Sequence, residues 1–422
     1  MPESGIKEDI DFKKILQANS ELGQIQDIDI LLERILAVAR SIVNADAGSI
    51  YIKQSVVEAD GKTDMLYIRH AQNDTRQKLL PPGEKQTYPL FSVPIDKLSI
   101  AGYCAHMGRI INIQDMYHIP EDAPYSFNSS FDQRTGYRTV SSLTFPIAAD
   151  ARLLGVIQLL NKTDRTGNIV PFSEEDELVL RNFAISATHA MERAYITRAM
   201  IIRMIRMAEL RDPAETGSHV NRVASYSVEL YDRWAHKHNV PERERTVFRD
   251  NLRIGAMLHD IGKVAISDAI LKKPGRLTED EFLQMQEHTI HGASLFRDSL
   301  SEVDSLAMEI ALTHHENWDG TGYPGWIDPT SGLTVRQDEE GKPVGKKGEE
   351  IPLAGRIVAV ADVFDALCSK RAYKEAWTEE QVLAQMRELS GKRFDPEFVD
   401  IFFEVLPMIK HSRQLHSQNL AA

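Results

Sequence analysis

The chain has 422 residues, more than one globular domain usually holds, and its net charge of −13 argues against broad nucleic-acid binding. No stretch approaches the roughly 18 consecutive apolar residues that a membrane span needs. Met1–Lys14 is charged and lacks an apolar signal core, so we expect a cytoplasmic protein without membrane partners. Cys104 and Cys368 are too few for a disulfide framework or a Cys-based zinc site.

The first half of the chain predicts an α+β domain over residues 28–177, preceded by a polar tether over residues 1–27. Apolar residues at helical spacing predict a helix over Ile28–Val43. Five strands are predicted downstream of it: Gly48–Lys53, Met65–Ala71, Arg109–Ile113, Ser141–Ile147 and Leu153–Lys162. A hairpin over Asp150–Gly155 would join the last two, so we expect an antiparallel sheet with flanking helices.

A long helix is predicted next. Ser173 and Asp176 form a capping box, and no helix breaker follows until Pro213. Apolar and small residues recur in steps of three and four: Leu180, Phe183, Ala187, Ala190, Ala194, Thr197, Ile201, Met204 and Ala208. This heptad seam favours a coiled-coil-like linker over residues 178–208 that pairs in parallel with a second copy. The alternative is a helix that packs on its own domain.

The second half predicts an all-α domain over residues 209–409, followed by a polar tail over residues 410–422. Capping signals recur along it. Thr278 precedes Glu281 by three residues, Thr378 precedes Gln381 by three, and Asp395 precedes Pro396.

Histidines and carboxylates gather in this helical half. The set is Glu215, His219, His259, Asp260, His288, His314, His315 and Asp362. A lone histidine is usually structural, but apolar helices do not bury such groups without strong compensation, which a metal provides. Eight candidate ligands exceed the need of one ion and suit two or three, with a bridging carboxylate. Mixed imidazole and oxygen ligands favour Fe, Mn, Co, Ni or Zn over Mg or Ca.

Six segments together resemble the HD-GYP domain, a helical branch of the HD metallohydrolase superfamily. They are Glu215–His219, His259–Lys263, Lys273–Phe282, "HHENWDGTGYP" (His314–Pro324), Ile351–Leu367 and Ser369–Trp377. The resemblance implies a phosphodiesterase that hydrolyses cyclic di-GMP to pGpG or GMP. It implies that all eight residues are ligands of divalent ions, Fe or alternatively Mn, with Asp260 bridging. Glu215 is the ligand associated with three metals instead of two.

The chemistry expected of this site is metal-assisted hydrolysis. Two adjacent metals can deprotonate a water and neutralise the phosphate oxygens, so that hydroxide attacks phosphorus. Asp260 and Lys263 are the predicted catalytic residues, and Lys263 is also expected to contact phosphate. Gly322 and Tyr323 of the Gly-Tyr-Pro loop, with Arg371 and Lys374 of "RAYK", resemble substrate-binding residues of the family. Asp268, His291 and Asp365 match no ligand position and are interpreted as structural.

Two departures from the family pattern stand out. Trp326–Lys347 is longer than the usual connection after the Gly-Tyr-Pro loop and predicts an inserted surface hairpin or flap at the mouth of the site. Ala372 stands where proline is common. Neither departure removes a ligand, but the insertion leaves substrate access and selectivity open.

The first half resembles a GAF domain. The segments that carry the resemblance are Asp27–Ile52, Gly102–Tyr117 and Leu153–Lys162. Asn161, Lys162, Phe172, Asp176 and Glu177 follow the NK…F-x-x-x-D-E pattern, and a Lys162–Asp176 ion pair is expected to brace the pocket. The resemblance implies a sensor for a small molecule such as a cyclic nucleotide. A GAF domain that serves only for dimerisation is the equal alternative.

Together these features predict a homodimeric signalling enzyme in which a GAF sensor regulates a cyclic di-GMP phosphodiesterase. One alternative keeps the chemistry and changes the substrate to another cyclic dinucleotide such as cyclic GMP-AMP. Another is a non-catalytic receptor, which the intact ligand set disfavours. A general nucleotide phosphohydrolase is disfavoured by the Gly-Tyr-Pro loop and by "RAYK".

Overall fold

The structure is a computed structural model, which describes residues 20–58, 61–81, 85–86, 88–89, 91–150, 152–210, 217–298, 301–368 and 377–419. The chain divides into two compact units, one ending at Thr197 and the other beginning at Arg198. Each unit is described by itself.

The first unit contains one antiparallel sheet. Its spatial order is β3-β2-β1-β6-β5-β4, and β7 pairs with β6. The strands are β1 (Ala45–Glu58), β2 (Gly61–Asn73), β3 (Ser92–Pro94), β4 (Ile111–Ile113), β5 (Ser142–Ala149), β6 (Arg152–Thr163) and β7 (Ile169–Val170). All five predicted strands are present. Strands β3 and β7 were not predicted, because each is only two or three residues long.

Helices flank this sheet, as predicted. They are α1 (Ile28–Val43), α2 (Asp74–Gln77), α3 (Ile100–Met107) and α4 (Ser130–Thr135). The Asp27 carboxylate accepts the backbone N–H groups of Asp29 and Ile30, which fixes the start of α1. Gly48 of β1 lies so close to α1 that an added Cβ would be 3.0 Å from Leu36 Cδ1. The predicted α+β class is therefore confirmed.

Helix α5 (Glu174–Glu209) begins at the predicted capping box, in which Ser173 and Asp176 exchange hydrogen bonds. The predicted seam between two chains is wrong for most of its members, because they are buried within this single chain: Leu180, Phe183, Ala187, Ala190, Ala194 and Ile201. Heptad spacing identifies an apolar face of a helix but not what covers it. Here the alternative of packing within the chain holds for those residues.

The described part of the second unit is helical apart from loops and three isolated β-bridges, which pair Ile327 with Thr334, Gln337 with Pro343, and Ser390 with Phe394. Its helices are α6 (Gly217–Lys237), α7 (Glu242–Met257), α8 (Asp268–Leu271), α9 (Glu279–Gln286), α10 (His288–Ser294), α11 (Glu302–Thr313), α12 (Leu353–Cys368), α13 (Glu379–Glu388) and α14 (Pro396–Asn419). Two 3₁₀ turns cover Ile261–Ala265 and Gly348–Glu350. The predicted capping boxes of α9 and α13 are both present.

The core of this unit surrounds α12, which is buried on most sides as its apolar sequence predicts. Tyr226 of α6 packs edge-on against Phe364 of α12, and Phe364 in turn packs against Phe402 of α14. No described helix of either unit combines the length and the apolar character that crossing a membrane requires.

Candidate metal centre

Five helical segments bring the predicted ligands together. His219 lies in the first turn of α6, and Asp362 lies within α12. His259 and Asp260 stand between α7 and the first 3₁₀ turn, where the chain bends. His288 opens α10, and the pair His314 and His315 directly follows α11. Helix ends and bends thus present most of these side chains, which is why they can converge from separate parts of the chain.

The ligands form two groups, and the ligand atoms of each group lie within 4.8 Å of one another. One group contains Asp260, His288, His314 and His315, and the other contains His219, His259 and Asp362. Asp260 connects them: its Oδ1 lies 3.2 Å from His288 Nε2, and its Oδ2 lies 3.2 Å from His259 Nε2. A carboxylate with one oxygen towards each group has the arrangement of the predicted bridge.

Hydrogen bonds orient three of the imidazoles. His259 Nδ1 lies 2.7 Å from the Ala256 carbonyl oxygen, and His288 Nδ1 lies 2.6 Å from that of Met285. His314 Nδ1 lies 3.0 Å from the Ile310 carbonyl oxygen. Since a carbonyl only accepts, each Nδ1 carries the proton and each Nε2 presents its lone pair to the centre. This is the tautomer that metal-binding histidines adopt.

Four buried atoms in the centre lack a hydrogen-bond partner. They are His259 Nε2, Asp260 Oδ1, His288 Nε2 and His314 Nε2. An unsatisfied buried polar atom costs about 1–3 kcal/mol, so four at one point require a compensating group. Divalent cations held by the two groups would bind all four. The residues present therefore fit the metal that the sequence predicts.

The electrostatics of the centre favour cation binding. Burial disfavours ionisation of Asp260 and Asp362, yet Lys263 and the histidines outweigh it and hold both carboxyl pKa values well below their usual range. Burial also opposes protonation of His219, but its hydrogen bonds to Asp362 and Asp365 raise the pKa of this imidazole to about 10. Without a metal, the positive charge of protonated His219 therefore balances the ionised carboxylates, and metal binding would displace the His219 proton.

His315 has the opposite shift. Burial, followed by the neighbouring His314 and His288, lowers the pKa of His315 well below its usual range. His315 therefore remains neutral, as a metal ligand must.

A glycine allows Asp260 and His288 of the first group to lie close together. A Cβ on Gly262 would be 2.0 Å from the His288 carbonyl oxygen and 2.3 Å from the Gly292 nitrogen. Any side chain there would push α10 away from the 3₁₀ turn that follows Asp260. The glycine of "HDIGK" is thus required for the distance between Asp260 and His288.

The predicted substrate residues lie at the edge of the centre. Lys263 Nζ is 2.8 Å from Asp260 Oδ2. The ring of Tyr323 packs on that of His315, with centroids 4.9 Å apart. Gly322 has a structural reason to be glycine, since a Cβ would be 2.2 Å from the Asn317 nitrogen. The Tyr323–Pro324 peptide bond is cis.

The insertion Trp326–Lys347 is a hairpin, as predicted. Backbone hydrogen bonds join Trp326 to Val344 and to Val335, and the side chains of Arg336 and Lys346 both lie over the ring of Trp326. Its base is fixed by the buried Glu316, whose carboxylate accepts the N–H groups of Gly325 and Lys346. The insertion is therefore hydrogen-bonded to the loop that carries Tyr323.

Three features near the centre were not predicted from the sequence. Glu316 anchors the insertion, although its own motif gave it no distinct role. Asp365 was interpreted as purely structural, yet its Oδ2 lies 2.8 Å from His219 Nδ1. Phe282 is 46% exposed, and its ring meets that of Tyr323 at 6.0 Å. A phenylalanine at the end of the polar motif "KPGRLTEDEF" was the available signal for the third.

Some predicted residues lie outside the described residues, namely Glu215, Arg371 and Lys374. Two of the residues interpreted as structural, Asp268 and His291, belong to neither ligand group. Asp268 pairs with Lys272 on an exposed turn of helix, and His291 lies 3.8 Å from Glu287 on the half-exposed side of α10.

The GAF motif forms a brace in the first unit. Lys162 Nζ lies 2.6 Å from Asp176 Oδ2, so the predicted ion pair is confirmed. Asn161 donates to the Tyr137 hydroxyl and the Arg138 carbonyl, and its side-chain oxygen accepts the Val140 N–H. Asn112 Nδ2 donates to Glu177 Oε1 and to the carbonyl of the buried Phe172.

The brace lies apart from a cavity of about 530 Å³ in the same unit. Its wall includes the aromatic rings of Tyr117, Tyr125 and Phe127, and none of the five motif residues lines it. The Tyr117 hydroxyl is held by Asp132, and the guanidinium of Arg138 lies 4.8 Å from the centre of the Tyr117 ring. Through Arg138 the segment bound by Asn161 reaches the cavity wall.

Comparison with known proteins agrees with both resemblances. The family model described as "HD domain" matches residues 216–367, and the one described as "GAF domain" matches residues 27–191. The cyclic di-GMP phosphodiesterase response regulator RpfG of Xanthomonas campestris pv. campestris is 32% identical over 365 residues, covering 82% of this chain and 85% of that protein.

Two other relatives each match about half of the chain. The 3'3'-cGAMP-specific phosphodiesterase 2 of Vibrio cholerae is 38% identical, with 49% of this chain and 34% of that protein covered. A cyclic di-GMP phosphodiesterase of Thermotoga maritima is 41% identical, with 47% of this chain and 46% of that protein covered. The chain thus spans less than half the length of these two relatives.

Proposed function

Since the chain belongs to the family of HD-domain cyclic di-GMP phosphodiesterases, we propose that it hydrolyses cyclic di-GMP to linear pGpG, to GMP, or to both. The observation that carries this proposal is the set of four unpartnered buried atoms that converge between Asp260 and three histidines. These atoms require bound cations, which are the groups that phosphodiester hydrolysis of this kind uses.

We propose that the two groups hold Fe or Mn ions, with Asp260 between them. A third ion is expected if Glu215, which lies outside the described residues, adds its carboxylate. Bound divalent ions supply Lewis acidity to the phosphodiester and lower the pKa of water. His315 and the oriented Nε2 atoms of His259, His288 and His314 hold the ions without competing protons.

The remaining residues bind the substrate. The ammonium of Lys263 lies at the edge of the centre beside Asp260, where a nonbridging phosphate oxygen would be neutralised. Phe282, Tyr323 and His315 form a row of rings that leads from solvent to the ligands. A purine stacked on Phe282 would place the adjoining phosphodiester towards the metals. Arg371 and Lys374 are proposed as further phosphate contacts on the strength of the motif alone.

A second substrate has its own support. The Vibrio cholerae relative named 3'3'-cGAMP-specific phosphodiesterase 2 is 38% identical to this chain over 208 residues. Cyclic GMP-AMP has the same two phosphodiesters, so only contacts with the bases can distinguish the two substrates. The insertion Trp326–Lys347, which adjoins Tyr323, is the proposed source of that selectivity.

The GAF unit is proposed to regulate this activity from the first half of the chain. Its aromatic cavity of about 530 Å³ has a volume typical of small-molecule sites. The alternative is a GAF unit that serves only for dimerisation. It predicts that cyclic nucleotides do not bind to this unit and do not change the phosphodiesterase activity.

We also propose a homodimer, through a different face of α5 from the one that the heptad seam indicated. Large apolar side chains remain exposed at Leu178, Ile185, Ile196, Met200, Met204 and Met207. Their spacing places them on one side of the helix, opposite the buried residues. A second copy of the same face would cover them.

The test of the catalytic proposal is a turnover assay on full-length protein. The protein is purified without oxygen, its metals are counted, and iron- and manganese-loaded samples are given cyclic di-GMP or 3'3'-cyclic GMP-AMP in parallel. Faster turnover of cyclic di-GMP, with pGpG or GMP as product, is expected. Preference for cyclic GMP-AMP would select the second substrate, and no turnover of either would contradict the enzymatic function.

A further inference from the structure

His219 is held differently from the other imidazoles of the centre. Its Nε2 lies 3.4 Å from Asp362 Oδ1, while its Nδ1 lies 2.8 Å from Asp365 Oδ2. His259, His288 and His314 use backbone carbonyls for the same purpose. A backbone carbonyl cannot be removed by substitution, but a carboxylate can. The orientation of His219 therefore depends on carboxylate side chains, of which Asp365 contacts Nδ1.

Asp365 is itself fixed on both oxygens. Arg222 donates from Nε to Oδ1 at 2.7 Å and from Nη2 to Oδ2 at 2.8 Å, and the Asp365 side chain has no exposed surface. This bidentate geometry is the strongest form of an arginine–carboxylate pair. Because the guanidinium neutralises it and occupies both oxygens, Asp365 is not available as a metal ligand.

Two helices build this arrangement. Helix α6 supplies His219 and, three residues later, Arg222, while α12 supplies Asp362 and, three residues later, Asp365. Residues three apart share one side of a helix. On each helix one residue of the pair belongs to the ligand group, and the other lies next to it, one turn further along. The imidazole lies between the two carboxylates, and its ring plane is set by both.

We propose that Asp365, locked by Arg222, is the positioning residue for His219 and sets the metal affinity of the group formed by His219, His259 and Asp362. Asp365 accepts the Nδ1 proton, which leaves the Nε2 lone pair directed at the metal position. The other group, built on His288, His314 and His315, does not contact Asp365. This inference rests on the metal binding included in the proposed function.

The test is a manganese titration of full-length Asp365→Asn protein, followed by calorimetry and by electron paramagnetic resonance of bound Mn²⁺. Loss of an orienting carboxylate typically weakens metal binding about 10- to 100-fold. We expect the affinity for one Mn²⁺ per chain to fall by that factor, while the remaining Mn²⁺ binds with the wild-type affinity. Arg222→Lys keeps the positive charge but loses the fork, and a smaller shift in the same direction is expected.

Asp395→Asn is the matched control. Asp395 is buried and bonded to Arg356 at 2.7 Å, so this variant also loses a buried ion pair, but outside both ligand groups. It should lower the melting temperature and leave both Mn²⁺ affinities unchanged. If Asp365→Asn behaves like this control, the positioning role is wrong and Asp365 is only structural.

Failure of the proposed function gives a different pattern. If wild-type protein binds Mn²⁺ but hydrolyses neither cyclic dinucleotide, the catalytic proposal fails while the titration still tests Asp365. If Asp365→Asn does not fold, the Arg222→Lys titration decides the question: unchanged Mn²⁺ affinities would overturn the inference.

Discussion

The two units each carry a polar motif, and the motifs differ in what they leave unsatisfied. In the first unit Asn161 makes three hydrogen bonds, and Lys162 pairs with Asp176. In the second unit Asp260 and His288 keep buried atoms without a partner, directed at a common point. The first motif is bonded within the fold, apart from a buried Oδ1 of the neighbouring Asn112, whereas the second directs four unpartnered atoms at one place and requires a group from outside.

This difference separates a structural motif from a binding site. Buried polar groups are normally hydrogen-bonded, so a satisfied network rigidifies a domain and needs no ligand. An unsatisfied network remains costly until something binds. Both motifs can be identified in the sequence, but the pattern of unpartnered atoms shows which one faces a ligand.

The largest effect that would test this comparison is expected for Asp260→Asn. Removing the oxygen charge between the two groups should release bound metal and lower kcat/KM for cyclic di-GMP at least about 10³-fold, which corresponds to about 4 kcal/mol. Metal content by mass spectrometry and initial rates are the measurements. Asp268→Asn is the control, since Asp268 is exposed and pairs with Lys272, and it should change neither. Full metal content in Asp260→Asn would refute the bridge.

Phe282→Ala should produce the next largest effect. Base stacking on an aromatic ring contributes about 1–3 kcal/mol, so KM for cyclic di-GMP should rise about tenfold. Turnover of bis(p-nitrophenyl) phosphate, a diester without a purine, should remain unchanged. Leu283→Ala alters the neighbouring exposed residue and serves as control. Equal losses on both substrates would show that Phe282 supports the centre and does not bind a base.

Lys162→Met tests the satisfied motif. The pair with Asp176 is largely buried, so its loss should lower the free energy of unfolding by about 2–3 kcal/mol. Metal content should stay the same, because the brace holds no ligand. Arg152→Met breaks the exposed pair with Glu192 and should cost less than about 0.5 kcal/mol. Equal free energies of unfolding for Lys162→Met and Arg152→Met in denaturant would show that the Lys162–Asp176 pair does not brace the domain.

The smallest effect on the catalytic centre is expected from substitutions on the exposed apolar face of α5. Wild-type protein should sediment at twice the chain mass of 47.6 kDa. Burying glutamates in an apolar interface is costly, so Met200→Glu with Met204→Glu should weaken the dimer at least about tenfold and leave metal content unchanged. Arg206→Glu, exposed outside this face, is the control. A monomeric wild type would contradict the proposed dimer.

Much of the fold followed from local pattern. Helix α1 covers the predicted residues Ile28–Val43, because its apolar spacing and its capping residue Asp27 agree. Strand ends were less accurate: β1 and β2 extend well beyond the predicted strands, since strand pairing continues through polar residues such as Gln54 and Ser55. Pairing depends on the neighbouring strand, which local sequence does not contain.

The helix α5 shows a different limit. Its apolar residues recur at the spacing of a coiled coil, and that spacing is the same whether a helix packs on its own chain or on a second one. Leu180 and Phe183 are fully covered within this chain, whereas Met200 and Met207 on the other side are exposed. Only the packed structure identifies which face is available.

Sequence alone determined the chemical types at the centre, because histidines and carboxylates on apolar helices are buried only where a partner such as a metal ion compensates for their lost hydration. Tertiary structure decided the role of each. Asp362 and Asp365 are the same residue type on one helix, three positions apart, yet Asp362 faces the ligands and Asp365 is locked by Arg222. That arginine lies 143 residues away in the chain, so no local pattern records the contact that withdraws one carboxylate from the metals.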